Sequence, residues 1–287
     1  MTTNNTLSRR IVVGIDSSAN AARAAEWAAR TATDRGGTPL HLVHALNQPH
    51  GTSMVDPAAS VKALHDAAAE LLSQAFRALR RQYPKLAVTT QISELGAAEM
   101  LVSLSREAEL VVTGTRGHGG FTGMLLGSVS HKTAAHAHCP VVVVREEASE
   151  NVRNEIVLGV EPDQALAPIR FAFATAARFG ASVTAIRAWI PQSTYGGYFT
   201  MTPATDEQHG DVDQLLKATR EEFPQVQVTR QFVNENAVTA LIGASDGARL
   251  LVIGAHHHHG PLSMGTGYVV QGLLSHAHTP VAVVPID

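Results

Sequence analysis

Short apolar runs alternate along the chain with longer mixed stretches, and that alternation predicts the architecture. Residues 11–15 form a continuous apolar run with β-branched residues, ended by Asp16, Ser17 and Ser18, the pattern of a buried strand feeding a helix N-terminus. The next stretch, 19–35, sets Ala22, Ala25, Ala28 and Ala32 among Arg23, Glu26 and Arg30, a helical mixture closed by Gly36-Gly37. Further strands are expected at 40–45, 86–92, 110–113 and 141–144. Helices are expected at 61–82, 96–107 and 128–136, with a loop over 47–60 that is rich in Gly, Pro and Ser. Strands that are apolar on both faces and alternate with helices imply a parallel α/β sheet covered on its two sides, with right-handed crossovers.

The same order then recurs. Arg10-Ile11-Val12-Val13-Gly14-Ile15-Asp16 returns as Glu155-Ile156-Val157-Leu158-Gly159-Val160-Glu161, and His138-Cys139-Pro140-Val141 as His278-Thr279-Pro280-Val281. Strands of the second copy fall at 156–160, 183–188, 226–232, 250–253 and 281–284. A period this long is a duplicated domain and not a solenoid repeat. The expected organisation is two tandem doubly wound domains, 1–148 and 149–287, joined through a polar, unpatterned segment at 147–153. The last strand of each copy follows a proline, Pro140 or Pro280, which suits an edge position because proline cannot donate to a ladder. An edge of four valines needs a cover. The equivalent strand of the other copy supplies one, so the expectation is a pseudo-twofold pair within the chain.

Candidate chemistry concentrates after the fourth strand of the first copy. Gly114-Thr115-Arg116-Gly117, then nine residues, then Gly127-Ser128 places glycines where backbone N–H groups approach an anion and a helix dipole stands behind them. Ser128 is expected to cap that helix, and Arg116 and Lys132 add positive charge. No Gly-Lys-Ser/Thr occurs, and a dinucleotide fingerprint would follow the first strand, so neither common phosphate motif applies. Asp16 reads either as a helix cap or as a ligand group, with the nearby loop favouring the ligand.

Bulk properties narrow the class further. With 22 Lys and Arg against 25 Asp and Glu, the net charge is −3 and no basic cluster exists to drive nucleic-acid binding. A single cysteine, Cys139, cannot form an internal disulfide and reads as a small buried hydrophobe. No signal-like opening and no membrane-length apolar run occur, so a soluble cytoplasmic protein is expected, with no membrane partner. Neighbours in an extended run point to opposite sides, so the four histidines His256 to His259 offer at most two convergent ligands and no metal site is expected. No nucleophile–base pair or pair of acids stands beside the loop, so no catalytic residues are assigned.

The strings Val13-Gly14-Ile15-Asp16-Ser17-Ser18, Leu42-Val43-His44, Gly114 through Ser130 and His138-Cys139-Pro140-Val141 resemble the ATP-binding branch of the universal stress protein family, across nearly the whole chain and in two copies. That resemblance implies domains of adenine nucleotide alpha hydrolase-like or flavodoxin-like type. It implies that Asp16 and the Val43 backbone meet adenosine, that Gly114, Gly117 and Gly127 frame the triphosphate, and that Ser128, Val129 and Ser130 contact phosphate oxygens. Thr113 and Arg116 complete the set, with ATP and magnesium as cofactors. The implied function is stress-response regulation or signalling through the ATP-bound state, for example in hypoxia or stationary phase, with an unidentified protein partner. Pairing through last strands, within the chain and as a homodimer, is implied as well.

The second copy departs from this pattern. Glu161 replaces the aspartate, His257 the second glycine and Tyr268 the serine. An imidazole where backbone should touch phosphate is sterically costly, and the lost hydroxyl removes a donor. Glu161, Ile186, Gly254 and Gly267 are therefore the weaker candidates of a degenerate second site. Two other classes stay open: a slow ATPase, with His118 or Asp16 orienting water, and a nucleotide-free interaction scaffold.

Overall fold

The computed structural model describes residues 10–46, 57–117, 126–145, 152–161, 165–189, 206–256 and 267–286. The chain forms two compact units, Met1–Glu146 and Glu147–Asp287. Each is a parallel sheet covered by helices.

Unit one runs β1 Arg10–Gly14, α1 Ala19–Asp34, β2 Leu40–Ala45, α2 Pro57–Gln82, β3 Val88–Ser93, α3 Ala97–Leu104, β4 Ala108–Gly114, α4 Ser128–His136 and β5 Val141–Val144. Its strands lie in the order β3-β2-β1-β4-β5, all parallel. The chain winds outward from β1 through β2 and β3, then crosses to β4 on the other side. The crevice between the carboxyl ends of β1 and β4 is thus the topological switch point, where open α/β sheets hold ligands.

Unit two repeats the plan with β6 Arg153–Gly159, α5 Leu166–Phe179, β7 Ser182–Ala188, α6 Asp206–Glu222, β8 Val228–Val233, α7 Ala237–Ser245, β9 Ala248–His256, α8 Tyr268–His276 and β10 Val281–Ile286. Its order is β10-β9-β6-β7-β8, again parallel.

The β-branched runs are buried on both faces, as a covered parallel sheet requires: Ile11, Val12, Val13, Leu110, Val111 and Val112 have no exposed surface. The two copies solve the helix–sheet interface differently. The inner face of α1 carries Ala24, Ala28, Ala29 and Ala32, so that helix packs close to the sheet. The equivalent face of α5 carries Ile169, Ala172, Phe173 and Ala176, and the Phe173 ring stacks tilted on Phe223 at 6.4 Å.

Several boundaries differ from the sequence reading. α2 begins at Pro57, inside the segment read as loop, because proline at a first helical position loses no hydrogen bond and has its φ already set. β3 and β8 begin at Val88 and Val228, two residues later than expected, after turns in which Leu86 N–H bonds Tyr83 O and Val226 N–H bonds Phe223 O. β9 continues past Gly254 to His256, pairing Ala255 with Pro285 and His256 with Ile286. Cys139 is buried, as expected, and burial pushes its thiol up to about 12. Among the described residues, no helix is long and apolar enough to cross a membrane.

His41 on β2 supplies a pH dependence. The side chain is buried, with Nδ1 2.8 Å from Thr89 Oγ1 and Nε2 2.9 Å from Gln91 Oε1. Burial lowers its pKa below the ordinary 6.5, Arg10 adds to the lowering, and the Gln91 bond opposes both. The folded state therefore binds fewer protons than the unfolded chain once the pH drops beneath about 6.5, so this contribution is full above that pH and shrinks below it. Thermal melts from pH 7.5 down to 5.5 are expected to show a falling midpoint, and His41→Gln to reduce the fall. An equal fall in both proteins would assign it to other groups.

Candidate functional site: a glycine loop at the sheet's carboxyl edge

At the end of β1 the chain turns on Asp16. Its Oδ1 accepts from the Ser18 N–H at 2.9 Å and from the Ser18 hydroxyl. Ser18, and not Asp16, is the N-cap of α1, its Oγ accepting from Ala21 N at 3.1 Å. Capping leaves the second Asp16 oxygen facing the loop. It lies where a Cβ on Gly117 would stand. Val43, at the carboxyl end of β2, accepts from Ile15 N–H at 2.8 Å, and His44 Nδ1 donates to the Ile15 carbonyl at 2.7 Å. Three of the expected residues, Asp16, Val43 and Gly117, thus surround the β1 terminus.

The loop itself is closed by backbone. Gly127 N–H donates to Thr115 O at 2.7 Å, and Thr115 N–H to Val144 O at 3.1 Å. Gly114 presses on α1 so closely that a Cβ would stand 2.7 Å from the Asn20 carbonyl carbon, and one on Gly127 would stand 3.1 Å from Thr115 O. Both sites require a residue without Cβ or tolerate one only with movement. The structure brings Thr113, Gly114, Arg116, Gly117, Gly127 and Ser128–Ser130 to this edge, while residues 118–125 of the motif, including His118, lie outside the described residues.

Two hydroxyls depart from expectation. Gly127 is the N-cap of α4, so Ser128 is the first helical residue and makes no side-chain cap, which corrects the capping role read from sequence. Ser130 is buried and donates to Gly114 O at 2.6 Å, so its proton ties α4 to the end of β4.

Sequence reasoning missed Asn20. Its amide donates to Arg116 O at 3.3 Å. Only 9% of Asn20 is exposed, and its Oδ1 is buried without a hydrogen-bond partner, as is Thr113 Oγ1. Unpaired buried acceptors are uncommon and costly. The only signal in the sequence is an amide in the first turn of a helix, whose partner lies 96 residues away.

In unit two, Glu161, Ile186 and Gly254 line one recess of about 90 Å³, together with Arg187, Leu241, Val270 and their neighbours. Gly267 is the uncapped N-terminus of α8 and is not among the lining residues. Tyr268, in place of the serine, is 73% exposed. Of the four consecutive histidines only His256 is described, and the described residues contain no cluster of three metal-ligating side chains.

A doubly wound parallel α/β unit present twice in one chain, with a glycine loop after the fourth strand of the first copy, is the class that fold and site define. The chain belongs to the universal stress protein family, whose model matches residues 8–145 and again 153–285. It is 32% identical over 285 residues to a universal stress protein of Mycobacterium tuberculosis, covering 95% of each chain. Against one of Mycolicibacterium smegmatis the identity is 31% over 290 residues, covering 96% of each. A crystal structure of a universal stress protein from Archaeoglobus fulgidus shares the fold over 96% of this chain and 98% of its own, with a TM-score of 0.70 at 15% identity.

Proposed function

We propose that unit one binds ATP at the β1–β4 switch point and that the bound state is what the protein presents to a regulatory partner under stress. The observation that carries this reading is the loop's close approach: no Cβ fits at Gly114 or Gly117 without displacing Asn20 or Asp16, so glycine backbone is held directly against a helix N-terminus and a carboxylate. Asp16 is placed to accept ribose hydroxyls, and the Val43 backbone to meet the base. In this reading the Gly117 N–H and the first N–H groups of α4, at Ser128 and Val129, meet the phosphates, while Arg116 and Lys132 add charge. Magnesium, if it accompanies ATP, would offset phosphate charge and would need few protein ligands. The Ser130 hydroxyl positions the loop through Gly114 O.

A cytosolic placement, domain boundaries at 148 and 149, pairing of the two copies through their last strands and a homodimer belong to the same reading. Independent tumbling of the two halves in relaxation measurements would overturn the intrachain pairing.

The test is calorimetry with ATP and magnesium on the whole chain. One site per chain is the expected result. No binding would leave the protein a nucleotide-free scaffold, and ADP released faster than in buffer controls would make it a slow ATPase. Asn20→Ala gives a finer check. Losing the bond to Arg116 O frees the loop, so ATP affinity is expected to fall about tenfold, the worth of one hydrogen bond, with adenosine affinity unchanged. Equal losses for both ligands would make Asn20 a general structural residue.

A further inference from the structure

Two threonine hydroxyls of unit one are buried beneath α4. Thr113 Oγ1, near the end of β4, and Thr133 Oγ1, on α4, have no hydrogen-bond partner among the described residues, and the two residues are 4% and 0% exposed. A threonine inside a helix can turn its hydroxyl to the carbonyl four residues back, as Thr33 does to Ala29 O at 2.8 Å and Thr175 to Phe171 O at 2.7 Å. Thr133 makes no such bond. Leaving a hydroxyl orphaned in a core is costly.

The fold aims both hydroxyls at one groove. Successive strand residues point to opposite faces, and a Cβ on Gly114 would meet Asn20 of α1, so Thr113 faces the other helix layer, that of α3 and α4. Its Cγ2 lies 3.8 Å from the place of a Cβ on Gly14, and a methyl of Leu101 on α3 lies 3.3 Å from the same place. The height of Thr133 follows from Ser130, whose hydroxyl is bonded to Gly114 O. α4 returns antiparallel to β4 to reach the start of β5, so Thr133 sits about 4.5 Å back from Ser130, and Thr113 about 3.3 Å back from Gly114. The two therefore lie at nearly one level. Unit two shows which way this side of the helix looks. A Cβ on Gly272 would stand 2.9 Å from the Val238 methyls, so that flank of α8 faces α7, and the next residue, Leu273, turns roughly 100° and is fully buried. Thr133 is its counterpart on α4.

The groove need not be polar for this fold to form. In unit two Ile253 stands for Thr113 and Leu273 for Thr133, again 4% and 0% exposed, and Val270 stands for Ser130. All three hydroxyls are replaced together. In unit one Ser130 is satisfied by Gly114 O, and the other two share the need for a partner that the described residues do not supply.

From this we infer that unit one holds a buried water in the groove between α3, α4 and β4, hydrogen-bonded by Thr113 and Thr133. Buried waters sit where about two to four polar groups otherwise lack partners, and two hydroxyls up to about 5 Å apart are within reach of one water. A cation is disfavoured, because two neutral hydroxyls in an aliphatic wall do not offset its charge. The water belongs to the seat of α4, the helix whose N-cap residue closes the glycine loop through Gly127 N–H to Thr115 O. The site stands whether or not unit one binds ATP.

The test is a double-mutant cycle in the full chain with Trp189→Phe as background, which leaves Trp27 of α1 as the one tryptophan to report urea unfolding of unit one. Thr113→Val or Thr133→Val keeps the shape but strands the opposite hydroxyl, so each is expected to lower the folding equilibrium constant about tenfold. The double variant, apolar on both sides as unit two is, is expected to regain most of that loss and come within about threefold of the background. Single variants as stable as the background or more so would mean a dry pair, and losses that simply add would mean two separate partners; either result overturns the inference. A crystal structure of the unsubstituted chain is the check that needs no variant. A water peak within hydrogen-bond distance of both hydroxyls is expected there, and a groove without one overturns the site.

Discussion

Gly117→His is expected to abolish ATP binding by unit one while the chain stays folded. The substitution copies into the first loop the residue that the second copy carries at His257. Any Cβ at Gly117 lands on Asp16 Oδ2, and that carboxylate is not free to swing, because its other oxygen is held by the Ser18 N–H and hydroxyl. Asp16 must leave its turn or the loop must back away, and in either case carboxylate and loop no longer face one ligand. Losing two charge-assisted contacts is worth roughly 3 kcal/mol, so the Kd is expected to rise about a hundredfold or more. Calorimetry measures it, and circular dichroism checks the fold. An unchanged Kd would remove the loop from the site.

The second large effect is on stability. Gly114→Ala puts a methyl 2.7 Å from the Asn20 carbonyl carbon and Cβ and 2.8 Å from its oxygen. Those atoms belong to the first turn of α1, which is locked by the Ser18 cap and packed on the sheet through alanines. The helix must move as a body, and overpacking of this kind costs about 1–3 kcal/mol. Gly254→Ala is the control in unit two. There the methyl meets the Ile286 Cδ1 end and Pro168 Cγ at 2.9 Å, and the isoleucine can turn away. Urea unfolding of both variants is expected to show the larger loss for Gly114→Ala, and the reverse order would mean that α1 yields more readily than its packing implies.

Much of this was legible before any fold was known. The runs 11–14, 110–113 and 141–144 lie in buried strands because a continuous apolar segment of that length, rich in β-branched residues, has few other ways to leave water. Local chemistry also places the start of α1 at Ala19, with the cap supplied by Ser18 of the Asp16-Ser17-Ser18 turn. Errors gathered where the deciding contact is distant. Pro57 follows a stretch of turn-forming residues that reads as loop, and the same proline opens α2 once tertiary packing favours a helix. The N-cap position of α4 falls on Gly127, one residue before the Ser128 that local chemistry favours.

By itself the sequence determined the duplicated α/β order, the position of the glycine loop and the substitutions at its matched positions in the second copy. Those are written in local periodicity and in a comparison of the chain with itself. Only the tertiary structure decided that Ser130 spends its hydroxyl on Gly114, that Asn20 reaches Arg116, and that Ile286 overlies Gly254. Each of these joins segments 16 to 96 residues apart, or two strand ends brought level by ladder register. Periodicity tells which face of an element is buried, but the partner across that face is set by packing and register, which no short window of residues contains.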